Sequence, residues 1–326
     1  MDRIIRIGAL AAALQLAGCA TSIPDWIDNP SAGYSEQQYL SATGSADDRQ
    51  TAADRALANL AKIFEVQVTE SSLDFSSAQV SSGAEGAIAS NEQRLSRTIN
   101  TEARQVVEGA KVVEYYETEQ GRIHALAILD RQAAASRFRQ SILEADRKVD
   151  SLMAYAEQQA PNPVAALAAL NQARQVQASR DQVQRSLLVV ADGQGINARH
   201  STAVIEDTIR QALASLRCAV EADDPSVKME LQRAVGQLGI QIDPASNLRF
   251  TGLMDTTLPE RRQGWYWIRG SYELVLTDGN TVIGKQRWPV KASATDESLV
   301  GQRLRDSLNQ QLPGQLFDML TTASDQ

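Results

Sequence analysis

Seven residues, Ala135, Phe138, Ile142, Ala145, Val149, Leu152 and Ala156, recur at alternating intervals of three and four. That repeat puts a narrow apolar seam along one long helix, and a seam of this kind needs a partner to cover it. Pro161 and Pro163 must interrupt the run, because a proline inside a helix removes a backbone donor and clashes with the preceding turn. Beyond them Ala169, Ala173, Val176, Val183 and Leu187 continue at compatible positions, although Arg180 falls on the same stripe. The pattern predicts an antiparallel helical hairpin over 131–185. The alternative is two ordinary helices, each lying on a neighbouring domain.

Strand signals flank this region on both sides. On the N-terminal side, 39–46 alternates as a short strand, and Asp47 or Ser45 can cap the helix that follows. Ala53, Ala56, Leu57, Leu60 and Ala61 form one helical face. Ile63, Phe64, Val66 and Val68 then support a strand. Residues 71–91, rich in Ser, Ala and Gly, read as a loop, and Leu95, Ile99, Ala103 and Val106 mark another helix. Segments 112–118 and 122–130 flank Glu119-Gln120-Gly121 as a hairpin. On the C-terminal side, 186–191 reads as a strand and Asp192-Gly193-Gln194-Gly195 as a turn. Ser201 caps a helix carrying Ile205, Ile209, Ala212, Leu213 and Leu216. Asp224-Pro225 opens another, with a cap followed by proline at the first position. Strands follow at 248–254, 265–277 and 281–290, the last two joined by Asp278-Gly279-Asn280. A final helix carries Leu299, Leu304, Leu308 and Leu312. Pro313-Gly314 is expected to break it before Leu316, Phe317 and Leu320. The fold class is α+β: two mixed α/β domains with antiparallel hairpins, at 39–130 and 186–326, joined by long helices. The order of elements is similar in the two, but no residue-level repeat connects them.

The first residues belong to a different kind of segment. Arg3 and Arg6 precede a mostly apolar run over 7–16, about half of the roughly 20 residues that a membrane-spanning helix needs. A charged start, a short apolar middle and small residues ahead of a cut site describe a secretory signal. Leu16-Ala17-Gly18-Cys19 resembles the lipobox of bacterial lipoproteins; the alternative is an ordinary signal peptide with an incidental cysteine. The resemblance implies a signal peptide over 1–18, cleavage before Cys19, acyl chains on Cys19 and a lipidated tether over 19–38. Ala20 follows the cysteine where an Asp would commonly imply inner-membrane retention, so attachment to the outer membrane, facing the periplasm, is implied. The chain carries a net charge of −8. An acidic chain without a basic block argues against nucleic acid as a partner. It also argues against electrostatic attachment to anionic lipid, which leaves Cys19 as the anchor. The other cysteine, Cys218, is then unpaired and reads as a small buried residue.

Pro24-Asp25-Trp26, Gly44-Ser45-Ala46, the alanine-rich helix with Ala56 and Leu60, and the strand expected after it resemble the LPP-twenty family of bacterial outer-membrane lipoproteins. The likeness spans about 23–140. It implies a small α+β envelope domain with no catalytic residues. It also implies roles such as an accessory factor in cell-wall synthesis or flagellar assembly.

Reactive constellations are scarce. The two histidines, His124 and His200, have no partner at metal-ligand spacing; His124 reads as a half-buried strand residue and His200 as a solvated one. No nucleophile elbow or phosphate loop occurs. Gly193-Gln194-Gly195 lacks the third glycine of a dinucleotide fingerprint and reads as a turn. Asp47-Asp48 and Asp223-Asp224 sit where helix starts favour negative charge. No cofactor or metal is expected.

One stretch stands out, Arg261-Arg262-Gln263-Gly264-Trp265-Tyr266-Trp267-Ile268-Arg269. On a strand, Trp265, Trp267, Arg269, Ser271 and Glu273 share one face, while Tyr266, Ile268, Tyr272, Leu274 and Leu276 share the other. The second face reads as core. The first mixes Trp with charge, which makes Arg261, Arg262, Trp265 and Trp267 partner-binding candidates; the alternative is that these Trp cover a helix edge or loop. Trp288 lies on the partner strand. The expected function is a lipid-anchored, non-enzymatic envelope lipoprotein that binds an envelope protein or peptidoglycan. The competing expectation is a periplasmic enzyme acting on the cell wall.

Overall fold

The computed structural model describes residues 23–79 and 109–322. Leu16, Ala17, Gly18 and Cys19 lie outside them, as does the helix expected around Leu95, Ile99, Ala103 and Val106. Among the described residues, packing divides the chain into two units, 23–66 with 109–131, and 67–79 with 132–322. The architecture is α+β throughout.

The first unit holds strand β1 (Tyr39–Ala46), helix α1 (Arg49–Gln79) as far as Val66, and strands β2 (Ala110–Glu117) and β3 (Ile123–Asp130). The strands form an antiparallel sheet in the order β1-β3-β2. β1 alternates strictly, with Leu40, Ala42, Gly44 and Ala46 buried. Gly44 is where the helix comes closest: a side-chain carbon there would sit 2.2 Å from the backbone nitrogen of Ala56. Arg55 and Asn59 of α1 donate to the carbonyls of Ser45 and Thr43, at 2.6 and 2.8 Å. The β2–β3 turn closes as expected, with Gly121 at φ +79° and its N–H donating to the Thr118 carbonyl.

Two differences from the sequence reading arise here. Residues 63–68 are helix, not strand, and helix also runs through 71–79. The cause is that the buried positions Ala53, Ala56, Leu60, Phe64 and Val68 keep a helical period, which outweighs the weak β preference of Ile63 and Val66. Residues 24–38 are folded, not a bare tether. Trp26 is buried in a short 3₁₀ turn, Asp25–Ile27, and the Tyr34 hydroxyl donates to Glu114 of β2 at 3.2 Å.

The second unit contains α2 (Arg131–Gln158), whose first residue closes the first unit. It continues with α3 (Pro163–Val190), α4 (Thr202–Ser215), β4 (Arg217–Ala222), α5 (Pro225–Gln237), β5 (Gln241–Ile242), β6 (Leu248–Thr256), β7 (Glu260–Arg262), β8 (Trp265–Asp278), β9 (Thr281–Ala294) and α6 (Glu297–Thr322). The strand expected at 186–191 is the last turn of α3. Ser186, Leu187 and Val190 are buried at helical spacing, and the Ala191 N–H donates to the Leu187 carbonyl. α6 runs through Pro313 unbroken. Leu304, Leu308, Leu312, Leu316 and Leu320 are all buried along it. At roughly 1.5–3 kcal/mol each, they outweigh the ~3 kcal/mol that an interior proline costs. Arg180, the charge on the seam, is 3% exposed and ion-paired with Asp146 of α2 at 3.0 Å. It also donates to the Ile196 carbonyl at 2.7 Å, so it ties α2, α3 and the following loop together. His200, expected to be solvated, lies 3.2 Å from Asp150.

The strand order is β5-β4-β6-β8-β7, with β9 on the other side of β8. β4 runs parallel to β5 and β6, and the remaining pairs are antiparallel. One core joins the inner sheet face (Phe250, Tyr272, Leu274, Leu276) to leucines of α2, α3, α4, α5 and α6. β4 carries Cys218, fully buried.

Candidate binding face on the C-terminal sheet

β7 and β8 form a hairpin whose two-residue turn, Gln263-Gly264, has φ of +51° and +82°, the backbone of a tight type I′ turn. Arg262 is paired with Trp265 and Glu260 with Trp267. Along β8, Ile268, Tyr272, Leu274 and Leu276 are buried and Tyr266 is half-buried. Trp265 is 42% exposed, and Trp267, on the same outer face, is half-buried.

The partner strand completes the surface. Arg269 stands opposite Lys291, Ser271 opposite Pro289, and Glu273 opposite Arg287. The Arg269 guanidinium lies 5.6 Å and the Lys291 ammonium 4.8 Å from the centre of the Trp267 ring. Most other charges here are matched. Lys285 meets Glu273 at 2.9 Å, Arg262 meets Glu260 at 3.0 Å, and Arg287 lies 3.7 Å from Asp255. Arg269 and Lys291 have no carboxylate within ion-pair distance among the described residues.

Of the candidates, Arg262, Trp265 and Trp267 come together. Arg261 does not join them: it pairs with Tyr266 on the inner face and stacks over that ring at 5.8 Å. Trp288 also faces inward, stacked on Tyr272 with ring centres 6.4 Å apart. A bulge explains this. Leu276 pairs with Gly284 but Thr277 with Val282, so Ile283 is an extra residue, and everything beyond it changes face. The same bulge sets Lys291 against Arg269.

Three open grooves of about 510–560 Å³ lie elsewhere in this unit. The one between Tyr155, Val164, Leu216 and Leu248 holds Asp278 as its single carboxylate, and none of the three brings two carboxylates together. One member of each Asp pair caps the helix that follows it. Asp48 accepts from the Thr51 N–H at 2.9 Å. Asp224 accepts from the Ser226 hydroxyl and from its N–H at 2.7 Å, and Asp223 accepts from Met254 of β6. Among the described residues no group of His, Cys, Asp and Glu could hold a metal ion.

Residues 24–130 match the sequence family described as LPP20 lipoprotein. The LPP20 match covers the folded N-terminal segment and the first sheet, including Trp26 and Gly44. The candidate face lies outside it. No curated protein matches the chain. Among solved structures, a minor lipoprotein from Acinetobacter baumannii is 16% identical, with a TM-score of 0.27; the match covers 31% of this chain and 90% of that one. The secreted protein HP1454 from Helicobacter pylori is 14% identical, with a TM-score of 0.42; the match covers 87% of this chain and 96% of that one.

Proposed function

We propose that the protein is a lipid-anchored, non-enzymatic envelope lipoprotein. It is held at the outer membrane through Cys19 and binds a protein partner or the cell wall with the outer face of its C-terminal sheet. The LPP20 match over 24–130 supports the lipoprotein reading, and an accessory role in cell-wall synthesis or flagellar assembly is the setting that the resemblance implies. The observation that carries the binding reading is the solvent-facing cluster of Trp265, Trp267, Arg269 and Lys291. Exposed aromatics beside cations are the groups that most often anchor an interface.

The test is crosslinking of intact envelopes carrying the wild type or a Trp265→Ser/Trp267→Ser double variant, with a thermal melt of each. The expected result is loss of crosslinked partner or wall material with a melting temperature within a few degrees of wild type. Retained crosslinking, or a collapsed melt showing that the two Trp hold the core, would overturn the reading.

A further inference from the structure

We infer that the outer face of the β8–β9 ladder binds a carboxylate-bearing glycan of the cell wall, with Trp265 against sugar rings and Arg269 and Lys291 on the carboxylates. This deepens the binding reading above and rests on it.

The first argument is a local imbalance. Arg269 and Lys291 are direct cross-strand partners, and like charges directly opposite on one sheet face repel. The neighbouring positions on the same two strands avoid this, since Glu273 meets both Arg287 across the ladder and Lys285 at 2.9 Å. The repulsion is therefore specific to one rung, in a chain that is net acidic. An anion seated between the two cations relieves it and forms charge-assisted hydrogen bonds with both. The Trp267 ring, within cation–π reach of each, holds them in place before a ligand arrives.

The second argument concerns shape. The rung lies on an open ladder, and none of the grooves includes Trp265, Trp267, Arg269 or Lys291. A flat strip suits an extended polymer, whereas a small molecule needs a concave site to bury most of its surface. Trp265, 42% exposed and two residues along the same face, offers a flat apolar plane to the C–H face of a sugar. The third argument separates a wall polymer from a bilayer. Asp255, Glu260 and Glu273 are interleaved with the cations, and a plane of lipid phosphates would be pressed against all three. Peptide-linked wall glycan carries both carboxylates and ammonium groups, so it can match both signs.

The experiment uses residues 20–326 without acylation, which keep every described residue. These are sedimented with purified peptidoglycan sacculi, with sacculi whose carboxylates have been amidated, and with vesicles rich in phosphatidylglycerol. The wild type is expected to pellet with untreated sacculi and to be released by salt. Amidation, or the double substitution Arg269→Ser/Lys291→Ser, should weaken binding at least tenfold. The melting temperature of that variant should be unchanged or higher, since a repulsive pair has been removed. Equal binding to amidated sacculi overturns the inference, and that arm does not depend on any variant folding. Preference for the vesicles over sacculi overturns it too. If sacculi fail while crosslinking to a protein still requires Trp265 and Trp267, the glycan inference falls and the binding face stands. If neither depends on those residues, both fall.

Discussion

Cys218 has no exposed surface, and burial pushes its thiol up to about 11. A thiolate is the reactive species, so the native protein should be inert to thiol reagents. In a Cys19→Ser background at pH 8, a disulfide reagent should label less than a tenth of the protein until denaturant is added; prompt labelling of the native form would contradict the burial. Three other residues predict a pH effect. Asp48, Asp224 and Asp296 have lowered carboxyl pKa values, chiefly because the hydroxyls of Thr51, Ser226 and Ser298 hydrogen-bond to them, with the backbone N–H groups of the same residues adding to it. A depressed folded-state pKa contributes stability that is present above the unfolded value of about 3.9. That stability is lost as pH falls through the lower folded value. The difference in melting temperature between wild type and an Asp48→Ala/Asp224→Ala/Asp296→Ala variant should thus be full at pH 6 and shrink below about pH 4. A difference that grows on acidification would contradict the capping geometry. The capping role of Asp224 and of the Asp47-Asp48 pair was legible in the sequence because capping is local, whereas Asp296, which accepts from the Ser298 N–H at 2.9 Å, was not singled out. The identity of the first cap was less legible: Asp48, not Asp47 or Ser45, accepts from Thr51.

Elements were legible where one period dominated and misread where two signals competed. Val68 could belong to a strand or to a long helix, and only the continued burial of Leu60, Phe64 and Val68 decides for α1. Pro313 reads as a stop until the leucines on either side are seen in one core. The alternation of β8 was visible in the residues themselves, but the partners it meets were not. The Asp278-Gly279-Asn280 turn fixes the register only as far as the extra residue Ile283. That bulge is why Lys291 could not be assigned to the Trp267 face, and why Trp288 turned out to point inward. Two substitutions test how tightly the elements are fitted. Gly44→Ala forces a carbon against the α1 backbone and should cost about 2–3 kcal/mol in denaturant unfolding. Gly236→Ala, within α5 and open on its side-chain side, should stabilise by roughly 0.5–1 kcal/mol. Equal effects would mean that β1 and α1 are less closely packed than described. Arg180→Ala leaves Asp146 and the Ile196 carbonyl without their cation. It should cost about 3 kcal/mol, near the low end for a broken buried pair because Asp146 keeps some exposure.

At the scale of the whole molecule, the proposed anchor and the proposed binding face lie far apart in sequence, and attachment can be tested without reference to binding. No helix among the described residues is long and apolar enough to cross a membrane, and the proposal puts attachment on Cys19. A single acyl chain holds a protein only marginally. Each buried CH₂ contributes about 0.8 kcal/mol, so stable attachment requires more than one chain. The lipobox resemblance of Leu16-Ala17-Gly18-Cys19 implies that number, because the cysteine is lipidated on its side chain and acylated again at the new amino end. Mass spectrometry of the mature N-terminal peptide should therefore begin at Cys19 and carry several acyl chains. Cys19→Ser should move the protein from the membrane pellet to the soluble fraction and leave its melting temperature unchanged, since every described residue remains. A Cys19→Ser protein still in the pellet, together with an unmodified wild-type peptide, would refute the anchor. An acylated wild type that remains membrane-bound after Cys19→Ser would show instead that a second contact holds it. Repeating the fractionation with the Arg269→Ser/Lys291→Ser variant would then show whether that contact is the outer face of the C-terminal sheet.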